Sequence, residues 1–186
     1  MKQSAKQSTI FQKRLPPRFS IEQKNILSVS KTMKTDKPIK RYKFLQPLSR
    51  EHHHSLLLCW KIRTGFSKGI ETQRIKRYAD WFFENHIQPH FKAEEEHIFP
   101  ILGVDNDLVK KAIGDHRRLY RRFKNNDEIE KSLSLIEEEL ESHIRFEERV
   151  LFNEIQQVAT EQQLELVNRL HTENKFTDNT DDEFWK

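Results

Sequence analysis

The stretch HFKAEEEHIFP, residues 90–100, sets a histidine four positions ahead of the first of three glutamates and then closes on apolar residues. On a helix, positions i and i+4 share a face, so His90 and Glu94 point the same way. Phe83, Ile87, Ile98 and Ile101 fall on that stripe too, which makes it the core side of the helix. Placing a histidine and a carboxylate there demands a reason, because buried ionisable groups are costly unless paired or bound to a metal. Downstream, HIRFEERVLF (residues 143–152) repeats the arrangement: both stretches read H-x-x-x-E-E-x-x-x-F.

Working outward, 3.6-residue periodicity predicts helices over Leu48–Phe66, Ile70–Leu102, Asn106–Lys124 and Glu128–Ala159. Gly65 and Gly69 punctuate the end of the first, Pro89 kinks the second, and Thr160 is a candidate N-cap for a last helix, EQQLELVNRLHTE. Short connections make neighbouring helices antiparallel. The expected fold is all-α: an up-down-up-down four-helix bundle over residues 44–160, then a short extra C-terminal helix and tail over residues 161–186.

The first and third helices carry an acid followed by histidine, Glu51-His52 and Asp115-His116, and the second and fourth carry the longer motif. The chain therefore repeats in halves. Projection at about 100° per residue puts His52 in the first helix's apolar stripe, with His53 at its edge. Glu94 and His90 fall in the second stripe, and His116 falls between Ala112, Leu119 and Phe123 in the third. His143 and Glu147 lie among Ile136, Leu140, Val150 and Leu151 in the fourth. Glu95, Glu96 and Glu148 turn outward.

A single inward histidine is ordinarily a hydrogen-bonded core residue. Six convergent ionisable groups are different, because a network of that size is hard to satisfy without a cation. Imidazole and carboxylate donors without cysteine suit iron, manganese or zinc. A lone zinc ion takes about four ligands, whereas four histidines and two glutamates suit a dinuclear centre. Ferritin-like di-iron bundles use Glu-x-x-His on two helices. Here Glu94 and His97 make one such spacing, but the fourth helix has no counterpart.

Taken in order, SREHHHSLLL, HFKAEEEHIFP, GDHRRLYRRF and HIRFEERVLF resemble the hemerythrin family, specifically its HHE cation-binding domains, over about residues 45–160. The resemblance implies a four-helix bundle with a non-haem di-iron centre, two iron ions, that binds or senses dioxygen or a related small molecule such as nitric oxide or peroxide. The implied metal ligands are His52, His90, Glu94, His116, His143 and Glu147, with Glu94 and Glu147 bridging and Glu51 and Asp115 orienting histidines. The chain departs from dioxygen carriers, which place two histidines four apart on the third helix: Ala112 and Tyr120 flank His116 at that spacing. Its second carboxylate also follows its histidine by four positions rather than five. His86, one turn before His90, is a candidate replacement ligand. Two further readings use the same residues: a di-iron oxidase or peroxidase or iron-handling protein, and an interaction module regulated by metal occupancy.

Charge divides the chain. Residues 1–43 hold 12 Lys/Arg against two acids, while residues 44–186 hold 21 Lys/Arg against 27 Asp/Glu, so the overall +4 is the sum of +10 and −6. The basic segment, poor in apolar periodicity, is expected to be disordered, and Met33 is a candidate true start. The third helix carries Lys110, Lys111, Arg117, Arg118, Arg121, Arg122 and Lys124. Such a run reads as a solvated face, or as a docking surface for an acidic protein partner or a homodimer. Aromatic residues are not interleaved with it, so nucleic-acid binding is not expected. No apolar run has membrane-spanning length, and with a single cysteine, Cys59, a cytoplasmic location is expected. Trp60, Trp81 and the phenylalanines read as core, and the tail ends on an apolar anchor, Phe184-Trp185. No nucleophilic triad or phosphate-binding glycine loop is present.

Overall fold

Helix α1 spans Gln46–Ser67, entered through a 3₁₀ turn at Lys43–Leu45, with Pro47 in its first turn, where the missing N–H costs nothing. In this computed structural model, residues 43–172 and 176–186 are described; the basic segment and Met33 lie outside them, apart from Lys43. The α1 chain end turns on Gly69, whose φ of 65° suits a residue without a Cβ. Gly65 does not end the helix but lies inside it.

The second run is helical from residue 72 to 101 without an interruption, though not uniformly α. Helix α2 (Thr72–Phe82) passes into a π turn at Phe83–Ile87, helix α3 (Gln88–Ala93), a second π turn at Glu94–Ile98 and a 3₁₀ turn at Phe99–Ile101. The first π turn lies just ahead of Pro89, which has no N–H to offer the preceding turn, and Gln88 N–H donates instead to the Phe83 carbonyl. Helix α4 (Asp107–Lys124) is N-capped by Asn106, whose side-chain oxygen accepts from the Leu108 and Val109 amides at 2.8 and 3.4 Å. Helix α5 (Ile129–Phe146) leads through a third π turn, Glu147–Leu151, into α6 (Phe152–Val158).

Helix α7 (Glu161–Thr172) begins at the predicted N-cap. Thr160 Oγ1 accepts from Gln163 N at 3.3 Å and Gln163 Oε1 accepts from Thr160 N at 2.9 Å, a reciprocal capping box. Among the described residues every regular element is helical, and no helix is long and apolar enough to cross a membrane.

Helix α1 packs on α2 and α5, and α5 also packs on α2 and α4, which produces two separate apolar clusters. One gathers Leu58, Ile62, Ile75, Phe82, Leu119 and Leu140. The other gathers Leu45, Leu48, Ile98, Ala112, Leu151 and Phe152. Each of the first four helical runs contributes to both, so each crosses a middle layer that is not apolar, whereas α7 joins only the second. Full burial of a Leu, Ile or Phe side chain is worth about 1.5–3 kcal/mol, and the two slabs clamp that polar layer from either side.

Two expected core residues are instead substantially exposed, Trp60 at 46% and Val150 at 40%. Each sits beside the inward position of its helix: Cys59 and Leu151 take the buried places. The tail behaves as an anchor. Phe184 is buried against Tyr78, Asp178 pairs with the buried Lys61 at 2.6 Å, and Lys61 Nζ lies 3.7 Å from the centroid of Trp185.

Candidate metal centre

The polar layer is built from the helix positions that the repeat singled out. His52 comes from α1, His90 from α3, His116 from α4 and His143 from α5, while Glu94 and Glu147 each open a π turn. All six are buried, the two glutamates completely. Their side-chain atoms form two compact groups, His52, His90, Glu94 and Glu147 in one, and Glu94, His116, His143 and Glu147 in the other; the ligand atoms within each lie within 4.8 Å of one another. Both glutamates belong to both groups.

The halves of the layer match closely. His90 Nε2 lies 3.3 Å from Glu94, and His143 Nε2 lies 3.3 Å from Glu147. His116 reaches Glu94 at 3.4 Å and Glu147 at 3.8 Å; His52 reaches Glu147 at 3.2 Å and Glu94 at 3.7 Å. The Nε2 atoms of His52 and His90 are 3.0 Å apart, those of His116 and His143 3.1 Å, with rings inclined at 75° and 76°. An internal two-fold repeat in the sequence has become a two-fold repeat in space.

Three of the rings are held from behind by a carboxylate, and the fourth, His143, has one nearby without a hydrogen bond among the described residues. His52 Nδ1 lies 2.8 Å from Glu148, His90 Nδ1 2.6 Å from Glu51, His116 Nδ1 2.8 Å from Glu95 and His143 Nδ1 3.7 Å from Asp115. An ionised carboxylate only accepts, so it favours the proton on Nδ1 and leaves Nε2 as the inward lone pair. Carboxylate–histidine pairs of this kind fix the tautomer and orientation of metal-binding imidazoles. Flat aromatic rings add to the hold: Phe91 stacks on His116 at 3.7 Å and Phe152 on His52 at 5.4 Å.

The layer is electrostatically unfinished. Both carboxylate oxygens of Glu94 and of Glu147 are buried without a hydrogen-bond partner among the described residues. Two inward lone pairs 3 Å apart repel unless a proton or a cation stands between them. The titration of the groups follows. Burial lowers the His90 and His116 values, but Glu94 outweighs it, aided by Glu51 and Glu95 respectively, and carries both up to about 9. Burial likewise opposes protonation of His52, and Glu147, Glu148 and Glu94 together hold its value well above the ordinary range. Burial would raise Glu94, yet His90, His116 and His52 hold it well below the usual carboxylate range. Positive charge is what this cavity accepts.

All six residues singled out from sequence are brought together. His53 is exposed and stands outside the cluster. His86 does not replace a ligand: its ring packs on Trp81, Phe82 and Phe176. His97 is partly exposed, near Glu96, and the His171 side chain lies outside the described residues. Tyr120 is not packed inside but 46% exposed on the outer side of α4. Glu51 and Asp115 stand behind histidines as expected. Glu95 and Glu148, outward on their own helices, each face a histidine of another. The doublet E-E was the available signal, since consecutive helical positions differ by about 100° and so serve two directions.

Among known proteins, the chain matches no family model, no curated protein and no solved structure.

Proposed function

We propose that this chain is a hemerythrin-like protein, an up-down four-helix bundle holding two iron ions, that binds or senses dioxygen or a related small molecule. The observation that carries the reading is the convergence of four inward Nε2 atoms on two buried carboxylates that have no hydrogen-bond partner among the described residues. The donor set fits the metal pair on charge and on number. Two dications would offset the charge of the two buried glutamates, and nitrogen and oxygen donors without sulfur suit iron in either common oxidation state.

His52 and His90 would hold one ion, His116 and His143 the other, with Glu94 and Glu147 shared between them. When bound, the iron pair supplies redox-active coordination sites for a small diatomic or peroxide ligand. The chain's own part is positional. Glu51, Glu95 and Glu148 aim three of the imidazoles and hold their outer protons, while Asp115 stands 3.7 Å behind the fourth. Both apolar slabs keep bulk water from the carboxylates. The π turns opening at Glu94 and Glu147 support the reading as well, since such bulges recur at functional sites.

Anaerobic loading of the purified full chain with ferrous iron, followed by metal analysis and absorption spectroscopy under dioxygen and nitric oxide, tests the assignment. The expected result is about two irons per chain, in line with a dinuclear donor set, and a visible band that appears with the gas. An intact helical protein that takes up no metal would overturn it.

A further inference from the structure

Between α3 and α4, on the outer side of the His116 ring, lies a cavity of about 430 Å³. Its walls are aromatic: Phe83, Phe91 and the exposed Tyr120 line it, with Phe83 and Tyr120 edge to face at 5.7 Å. Volumes of this order accommodate small organic ligands. Its charged lining comprises Arg117 and Arg121, one helical turn apart on α4, and Lys92, Glu95 and Glu96 from the facing run.

These two arginines differ from the other basic residues of α4. Lys110 is near Asp105, Lys111 and Arg118 pair with Asp115, Arg122 pairs with Glu139 and Lys124 pairs with Glu84. Five of the seven basic side chains of that face thus have a carboxylate partner, whereas Arg117 and Arg121 have none among the described residues. Like charges at i and i+4 repel, and here the repelling pair stands over an aromatic-walled hollow. Of the seven basic side chains on that face, the two without a carboxylate partner among the described residues are the two that line the cavity.

The geometry points to a binding site for a small aromatic carboxylate, its ring among Phe83, Phe91 and Tyr120 and its carboxylate on the guanidinium groups of Arg117 and Arg121. Guanidinium forks match a carboxylate and also stack on planar rings, so one pair of residues serves both ends of such a molecule. Phe91 forms the shared wall, stacked on His116 at 3.7 Å, and Glu95, which holds His116 Nδ1, also lines the cavity. A bound acid thus lies against the two side chains that position one histidine of the buried layer. Binding itself does not require metal in that layer.

Calorimetric titration of the full chain with 2-naphthoate and with 2-naphthamide, each with and without loaded metal, separates the possibilities. Saturable binding of one naphthoate per chain is expected, with the uncharged amide weaker by about tenfold or more, as loss of a charge-assisted contact implies. The double variant R117Q/R121Q, altered only at exposed positions and checked for unchanged helicity, should bind naphthoate no better than the amide. Equal binding of acid and amide, full binding by the double variant, or no saturable binding of naphthoate would each overturn the site. Arginine-dependent binding of hexaglutamate without binding of naphthoate would overturn it too, and would make this face a dock for an acidic protein segment.

Discussion

Glu148, near the end of the fourth helical run, reaches the first histidine of the layer: its carboxylate stands 2.8 Å from His52 Nδ1, across 96 residues of chain. That bond closes a ring. Glu51 of the first run faces His90 of the second, Glu95 of the second faces His116 of the third, and Asp115 of the third faces His143 of the fourth. Every run supplies the carboxylate for its successor's imidazole, and the last supplies the first.

Glu148→Gln and Glu95→Gln should each weaken metal binding by about 10–100-fold while the protein stays folded, the usual effect of removing a partner behind a metal-binding histidine. Their outward projection alone would predict no effect. Glu96→Gln is the control, being exposed and outside the histidine layer, with Lys92 and His97 each 3.8 Å away. Competition titration against a chromophoric chelator reads all three, and equal affinity in E148Q, E95Q and wild type would remove the ring's role.

Glu94 and Glu147 belong to both groups of donors, so loss of either carboxylate should disturb both. Glu94→Gln and Glu147→Gln are expected to drop metal content well below that of E95Q at the same iron concentration. His53→Ala, at an exposed position, should match wild type. Elemental analysis of the purified variants decides the order, and retention of full metal by E94Q would refute shared ligation.

The metal-free protein should lose stability as pH rises from neutrality toward 10. His90 and His116 have folded values raised to about 9 from 6.5, so their contribution is complete below 6.5 and disappears as pH rises through about 9. Glu94 is held low, so its contribution is present above its ordinary 4.5 and is lost on acidification through the lower folded value. Metal would replace the histidine protons, so loading near pH 7 should release them. Urea midpoints against pH, with and without metal, check this; an alkaline loss of equal size in both forms would contradict it.

Gly65→Ala should destabilise, although alanine normally favours a helix interior by up to about 1 kcal/mol. An added Cβ would meet Ile75 Cδ1 at 2.7 Å and Phe184 Cε2 at 2.9 Å. Overpacking of this kind costs about 1–3 kcal/mol, enough to reverse the sign. Thermal unfolding of G65A measures it, and a raised midpoint would mean that the tail yields freely.

Cys59 should resist alkylation in the native state. Burial pushes its thiol up to about 12, with Glu137 and Glu141 adding to the effect, and the thiolate is the reactive form. Labelling with iodoacetamide at pH 8 should proceed only after denaturant is added; rapid native labelling would show that α1 opens readily.

Much of this was legible in the residues themselves. Period 3.6, the Asn106 and Thr160 starts and the positions of His52, His90, His116 and His143 follow from local pattern, because helices bury one stripe and a repeat doubles the signal. What escaped was anything set by a neighbouring helix. Glu95 and Glu148 look idle on their own cylinders and acquire a role only from the histidine opposite. Trp60 and Tyr120 have apolar rings at plausible spacing, yet each falls a step beyond the packed stripe and stays exposed. The π turns leave no mark in composition, and the difference between Arg117 and Arg118 depends on where Asp115 and Glu139 happen to stand.

The closed ring also sets an order of events during synthesis and folding. Glu51 and His90 are 39 residues apart and Glu95 and His116 only 21, so these links can form while the chain is still short. His52 waits for Glu148 and Glu147, and therefore for nearly the whole chain to emerge and collapse. A half-made polypeptide exposes histidines but no complete cage. On the di-iron proposal, capture of the cations would wait for the end of folding, and the metal would then fasten the first helical run to the fourth.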